Sequence, residues 1–183
     1  TTGLSPYIPD SSFPWEMPRI MHFYRRIGFG ANIEKVVAAR ALNPEQLVSE
    51  EISNARNLPF MQEPDWAFKL KKDYGLALLE SVLQKDGWAR EYIIYLQSSG
   101  LKGRMELFWH NHFVTRFDIY EAAPYMYQYH LLLSTHALGN FKDFVRAVGL
   151  TPAMLIFLNG NQNTAISPNE NYARELYELF ALG

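Results

Sequence analysis

Apolar residues recur at intervals of three and four along most of the chain, the spacing of a helix that buries one face. Between residues 65 and 99, for example, this spacing occurs in two runs, first at Leu79 and Leu83 and then at Tyr92 and Leu96. No segment alternates between apolar and polar residues with turns spaced for a sheet. The pattern therefore predicts an all-α fold, a multi-helix, bundle-like domain of about eight or nine helices.

Capping residues, Gly and Pro bound the predicted helices. Asn43, Asn140 and Thr151 are placed as N-caps, and Ser167 followed by Glu170 forms a predicted capping box. Residues 65–99 are predicted to form two helices divided near Asp86-Gly87. The other predicted helices cover residues 19–27, 44–53, 103–117, 122–137, 141–148, 152–158 and 168–182.

The first 18 residues differ from the rest of the chain. Pro6, Pro9, Pro14 and Pro18 interrupt them, and each proline blocks helix and biases the preceding residue toward extended backbone. We therefore predict an extended Pro-rich arm over residues 1–18 and a helical domain over residues 19–183.

Charge and composition exclude several classes of function. The chain has 17 Lys plus Arg against 19 Asp plus Glu, a net charge of -2, which gives no electrostatic basis for nonspecific nucleic-acid binding or a polybasic membrane tether. No run of apolar residues is long enough to predict an integral membrane segment. With no Cys, the chain has no disulfide, no Cys-ligated metal and no thiol catalysis.

Segment 106–113 carries the most suggestive chemistry. Glu106 lies four residues before His110 and shares its helix face, whereas His110 and His112 project about 160° apart on a regular helix. In a structural interpretation His112 donates to a buried carbonyl and His110 pairs with Glu106. In a functional one the histidines are ligands or acid–base groups, and an extended backbone would bring both to one side.

The polar loop 159–164 and the helix after it form the second candidate region. Asn169 projects with the apolar side of that helix and Glu175 lies at its border, so they either tie the loop to the core or form an oxygen-rich pocket for a cation or a sugar. Tyr125 belongs to a tyrosine cluster of the kind that binds sugars but more often packs in a core. The candidate binding residues are Tyr125, Asn159, Asn161, Asn163, Asn169 and Arg174.

Five segments, taken together and in this order, resemble a known bacterial family, "domain of unknown function 1800". They are Arg25 to Ala31 (RRIGFGA), Phe108 to Phe113 (FWHNHF), His136 to Phe141 (HALGNF), Pro152 to Leu155 (PAML), and Pro168 to Gly183, which begins PNENYAREL and ends LFALG. The family has no established activity.

The resemblance implies an exported, extracytoplasmic bacterial protein that is periplasmic, secreted or on the cell surface. It also implies that this chain is the N-terminal portion of a longer protein. Genes for members often neighbour those of a sulfatase-like family, which implies an envelope or polysaccharide-related role. Many members carry Asp where this chain has Asn159; if that Asp is a metal ligand or base, the neutral amide weakens the enzyme interpretation here.

Two functions of different classes follow. The first is a noncatalytic module of the cell envelope that binds a polysaccharide or a protein, such as the sulfatase-like neighbour. The second is a metal-assisted hydrolase or oxidoreductase that uses a divalent metal. For the enzyme, the catalytic candidates are His110, His112 and Glu175, and the metal-ligand candidates are Glu106, His110 and Glu170.

Overall fold

The computed structural model describes residues 7–75 and 78–181. Within these ranges it contains ten α-helices and no strand, so the all-α prediction is confirmed. The helices are α1 (Met17–Ile27), α2 (Ile33–Ala39), α3 (Pro44–Asn57), α4 (Leu78–Ser98), α5 (Gly100–His112), α6 (Phe117–Tyr120), α7 (Ala123–His136), α8 (Phe141–Gly149), α9 (Pro152–Phe157) and α10 (Asn171–Glu175). Short 3₁₀ turns occupy Lys71–Tyr74 and Gly160–Gln162, and Leu176–Ala181 is π-helical.

The chain divides into two compact units. The first runs up to Pro59 and includes Leu96–Arg104, and the second comprises Phe60–Tyr95 and the residues from Met105 onward. In the first unit a core of Ile20, Tyr24, Val36, Ala39 and Leu47 is covered by partly buried side chains that include Trp15 and Phe23.

Aromatic rings dominate the core of the second unit. One group of rings packs around Tyr127, with ring centroids 5.0 Å from Trp88, 6.1 Å from Phe60 and 6.2 Å from Trp66. A second group packs around Phe113, whose ring lies 5.1 Å from those of Phe144 and Phe180. Such edge-to-face and tilted contacts add specific geometry to the burial of apolar area.

The predicted caps at Asn43, Asn140 and Thr151 are confirmed. Asn43 accepts a hydrogen bond from the Gln46 amide and the Gln46 side chain accepts one from the Asn43 amide, a complete capping box. Asn140 accepts from the Asp143 amide and Thr151 from the Met154 amide. Each cap satisfies a backbone donor that the first helical turn leaves unpaired.

Several predicted helix boundaries are wrong: the helix predicted over residues 103–117 is α5, Gly100–His112, and the helix predicted over residues 44–53 extends to Asn57. Helix α4 continues through Asp86-Gly87, because the stripe of Ser81, Trp88 and Tyr92 is buried along its length and outweighs the roughly 1 kcal/mol that an internal glycine costs. The last helix begins at Asn171 rather than at Pro168, since the Ser167 amide donates to the Thr164 hydroxyl within the preceding loop.

The extended arm is not confirmed where the structure describes it. Residues 1–6 lie outside the described residues, and Pro18 is already in the first turn of α1. Between them the chain turns back on itself, because Asp10 Oδ1 accepts from the Ser12 and Phe13 amides and the Tyr7 hydroxyl donates to the Phe13 carbonyl. No helix of the described part is both long and apolar enough to span a bilayer.

Candidate binding site

The second unit has an open cavity of about 430 Å³ between the loop after Phe60 and one side of α4. Its walls combine aromatic rings, amides and carboxylates. The lining residues are Gln62, Glu63, Pro64, Asp65, Trp66, Gln84, Gly87, Trp88 and Glu91. We call this cavity the acidic pocket.

The loop side of the acidic pocket is fixed by a turn and by ring contacts. The amide of the buried Ala67 donates to the Pro64 carbonyl, and the Ala67 carbonyl accepts a hydrogen bond from the side-chain amide of Gln128. The Trp66 ring stands perpendicular to that of Trp88, with centroids 6.1 Å apart. Trp66 is therefore held in place before any ligand arrives.

On the α4 side of the pocket, the Gln84 side chain is held by hydrogen bonds and Gly87 has open space beside it. Gln84 accepts a 2.7 Å hydrogen bond from the Tyr74 hydroxyl and donates one of 2.9 Å to Glu80. Gly87 has no heavy atom within 4 Å of the place where a β-carbon would stand. The wall is thus ordered, and at Gly87 a larger side chain would extend into open space.

The acidic pocket is electrostatically negative. Glu63, Asp65 and Glu91 are exposed at its edge, and no Lys, Arg or His is among the described residues that line it. Two nearby tyrosines reflect this potential, although burial is the largest cause in both. Burial and then Glu63 raise the pKa of Tyr127, and burial and then Glu80 and Asp65 raise the pKa of Tyr74.

Behind Trp88 lies a buried chain of hydrogen bonds and stacked rings. Trp88 Nε1 donates to His130 Nδ1 at 3.0 Å, and the His130 ring stacks on Tyr92 with centroids 4.0 Å apart. The Tyr92 and Tyr95 hydroxyls donate to the two carboxylate oxygens of the fully buried Glu106, at 3.1 and 3.0 Å. We call these residues the buried network; it anchors one wall of the acidic pocket.

Burial disfavours the charged form of the histidines in this region. It lowers the pKa of His110, and burial together with the nearby His110 lowers the pKa of His130 well below its ordinary value. The two imidazole rings lie 5.3 Å apart. Because Nδ1 of His130 accepts the Trp88 hydrogen bond, the remaining ring proton of the neutral form sits on Nε2.

We expect the protein to lose stability as pH falls below about 6.5, the ordinary histidine pKa. The unfolded chain then binds protons that the folded His130 excludes, so the free energy of unfolding decreases. His130→Gln keeps an acceptor for Trp88 but cannot titrate, and we expect its stability to fall less steeply between pH 7 and 5. Urea unfolding of both proteins measures this. The carboxylates titrate in both, so parallel curves would contradict the prediction.

The structure separates the two histidines of segment 106–113. Helix α5 is regular through His112, and His110 faces the rings of Tyr129 and His130. Nε2 of His112 lies 2.8 Å from the Phe180 carbonyl and donates to it in the matching tautomer, which agrees with the structural interpretation of that histidine. For Glu106, the hydroxyls of Tyr92 and Tyr95 supply hydrogen bonds that the sequence did not predict.

The polar loop and α10 are linked by amide hydrogen bonds. Asn163 accepts from the backbone of Asn169, Asn169 accepts from the backbone of Asn171, and Asn171 donates to the Leu158 carbonyl. The Asn169 side chain thus accepts from an amide two residues further along, at the start of α10, and the contact with the Leu158 carbonyl is made by Asn171. The remaining candidates are placed as follows: Asn161 and Glu170 are exposed, and Glu175 lies 3.5 Å from Arg174 in an ion pair.

Two further candidates have structural settings of their own. Asn159 adopts a left-handed backbone with φ of 59°, which Asn and Asp tolerate better than other residues with a β-carbon. The Tyr125 hydroxyl accepts from the Lys71 amide at 3.4 Å. For metal binding, no group of three or more His, Asp or Glu able to hold an ion occurs in residues 7–75 and 78–181.

The acidic pocket was missed at the sequence level. Its residues come from two stretches, 62–66 and 84–91, that no single motif connects. The available signal was a loop between Pro59 and Pro64 that carries acidic and aromatic side chains, since binding residues concentrate on loops held by a rigid scaffold.

Comparison with known proteins bears on the chain as a whole. No curated protein and no solved structure matches it. Residues 22–183 match the family model described as "Protein of unknown function (DUF1800)". This range contains the acidic pocket, the buried network and all five segments that carry the resemblance. The chain therefore belongs to the DUF1800 family.

Proposed function

We propose that the protein is a noncatalytic, extracytoplasmic module of the bacterial cell envelope that binds a glycan in the acidic pocket. The observation that carries the proposal is the combination of two tryptophans, two glutamines and three carboxylates around one cavity of about 430 Å³. Trp66 is the partly exposed ring and offers flat apolar surface to a sugar ring, whereas Trp88 is only 3% exposed and supports it. Carboxylates and amides accept hydrogen bonds from sugar hydroxyls.

The charge of the pocket narrows the ligand class. Three carboxylates without a basic partner in the described lining repel anionic polysaccharides, whereas they attract ammonium groups. We therefore propose neutral sugars and, with higher affinity, amino sugars. A protonated amine beside Trp66 would also gain a cation–π interaction.

The settings of the histidines favour binding over catalysis. His110 and His130 belong to the buried region behind Trp88, and His112 is engaged with the Phe180 carbonyl. None of the three lines the acidic pocket. In this proposal the buried network keeps Trp88 rigid and the three carboxylates stay outside as hydrogen-bond acceptors.

We expect the 183-residue protein to bind a glucosamine hexamer more tightly than an N-acetylglucosamine hexamer, and not to bind a galacturonate hexamer. Glu91→Gln should weaken binding of the glucosamine hexamer by about 10-fold, because a charge-assisted hydrogen bond is lost. Gly87→Met should abolish binding by filling the pocket, while Gly87→Ala retains most of it. Isothermal titration calorimetry measures all of these affinities.

The matched control is Glu178→Gln, which removes an exposed carboxylate of the same unit that does not line the pocket. It should change the affinity by less than about twofold. Equal effects of Glu91→Gln and Glu178→Gln, or no binding of any hexamer, would overturn the proposal. Chromatography would detect cleavage of a hexamer, which would instead support an enzyme. Loss of that cleavage in EDTA would indicate that the enzyme uses a metal.

A further inference from the structure

The first unit contains a separate cavity whose chemistry is the reverse of the acidic pocket. Its volume of about 660 Å³ lies within the range of about 300–1,000 Å³ typical of small-molecule sites. It is formed by α1 and the turn before it. The lining side chains that matter are Tyr7, Trp15, Arg19, His22, Phe23 and Arg26.

The basic residues of this cavity share one face of α1. Arg19, His22 and Arg26 are spaced three and four residues apart, which aligns them along the helix. Helix α1 contains no acidic residue, and none of the ion pairs found among the described residues uses Arg19 or Arg26. Both guanidinium groups are therefore available to an anion from outside the protein.

Aromatic rings form the apolar part of the cavity and are held by their polar atoms. Trp15 Nε1 donates to the Leu42 carbonyl at 3.0 Å, and the Tyr7 hydroxyl donates to the Phe13 carbonyl at 2.7 Å. The Trp15 ring lies 5.9 Å from that of Tyr7 and 6.5 Å from that of Phe23. Because these polar atoms already have partners, the rings offer apolar surface.

Arg19 belongs to the basic face of α1 and also contacts aromatic rings. Its guanidinium carbon lies 5.2 Å from the centroid of the Tyr7 ring and 5.0 Å from that of Phe13. Stacking against two rings restricts the side chain while leaving N–H groups at the edge of the guanidinium plane. An anion bound there meets a cation whose position is already fixed.

We propose that this cavity binds an anionic amphiphile. Its phosphate or carboxylate group pairs with Arg19 and Arg26, and its apolar body packs on Tyr7, Trp15 and Phe23. The fork of N–H donors on arginine matches the oxygens of both groups. The site is independent of the acidic pocket, which lies in the other unit and selects the opposite charge.

Calorimetry with three probes tests the proposal: octyl phosphate below its micellar concentration, octyltrimethylammonium and inorganic phosphate. We expect octyl phosphate to bind at least about 10-fold more tightly than either of the others, because only it carries both an apolar chain and a negative group. Arg26→Gln should weaken octyl phosphate binding by about 10-fold. Arg25→Gln is the matched control, since Arg25 is the exposed neighbour outside the cavity.

Equal binding of octyltrimethylammonium would overturn the proposal, because the site would then be only apolar. Equal losses in Arg25→Gln and Arg26→Gln would overturn it as well, since they would indicate general charge attraction. A further arm uses vesicles of phosphatidylglycerol. Retention of the protein by them, lost in Arg26→Gln, supports an anionic lipid as the source of the ligand, whereas binding of octyl phosphate alone supports a free amphiphile.

Discussion

Gly103→Ala is expected to lower the free energy of unfolding by at least about 3 kcal/mol. The β-carbon of an alanine at this position would overlap the carbonyl oxygen of Leu96 and lie 2.9 Å from its Cα. Both atoms belong to the backbone, so no side chain can rotate away to make room. The substitution must displace α5 from α4 at the sharp turn that Gly100 makes between them with φ of 55°.

Gly87→Ala provides the matched control for this effect. Gly87 lies inside α4, and a β-carbon there meets no heavy atom within 4 Å. Alanine is the better helix former, so we expect this variant to gain about 0.5–1 kcal/mol. Urea denaturation followed by circular dichroism measures both variants. Similar stabilities for the two would contradict the close approach at Gly103.

The parts of the fold that sequence analysis predicted correctly depend on local interactions. The caps at Asn43, Asn140 and Thr151 each act on the amide three residues further along, so their side chains and spacing are sufficient to locate them. The all-α class follows from apolar periodicity in the same way. Caps and apolar periodicity can therefore be recognised without knowing what each helix packs against.

The helix boundaries were predicted wrongly where contacts between residues distant in the sequence determine the structure. The sequence divides α4 at Asp86-Gly87 because glycine is a poor helix former, but burial of Trp88 and Tyr92 holds the helix together. At the other end of the chain, Asn163 and Asn169 organise the loop through their own hydrogen bonds and delay the last helix to Asn171.

The candidate site was only partly accessible for the same reason. The residue types of segment 106–113 single it out in the sequence, yet its partners lie on α4 and α7 and cannot be read from the spacing of Glu106 and His110. The acidic pocket needs the same assembly, since Trp66 and Trp88 meet only after the loop folds onto α4. Chemistry on one helix is visible in a sequence, whereas chemistry between elements is not.

The Glu106 carboxylate has no exposed surface, so it needs hydrogen-bond donors from other parts of the fold. Both the Tyr92 and the Tyr95 hydroxyl donate to the Glu106 carboxylate, so removing Glu106 takes this acceptor away from each of them. The pKa of Tyr92 is raised by burial first and then by Glu106, so its hydroxyl stays protonated and continues to donate. The hydrogen bonds to Glu106 therefore contribute to stability across the neutral range.

We expect Glu106→Ala to lower the free energy of unfolding by about 3–5 kcal/mol, the cost of breaking a buried charged contact, and Glu106→Gln by roughly half as much. Double-mutant cycles with Tyr92→Phe and Tyr95→Phe separate the hydrogen bonds from the lost volume. Each pair should show a coupling energy of about 1–3 kcal/mol. Tyr125→Phe is the control, since that hydroxyl accepts from Lys71, and it should show no coupling with Glu106. Additive losses for Tyr92 and Tyr95 would mean that packing alone, rather than hydrogen bonding to the carboxylate, holds this side of the acidic pocket in place.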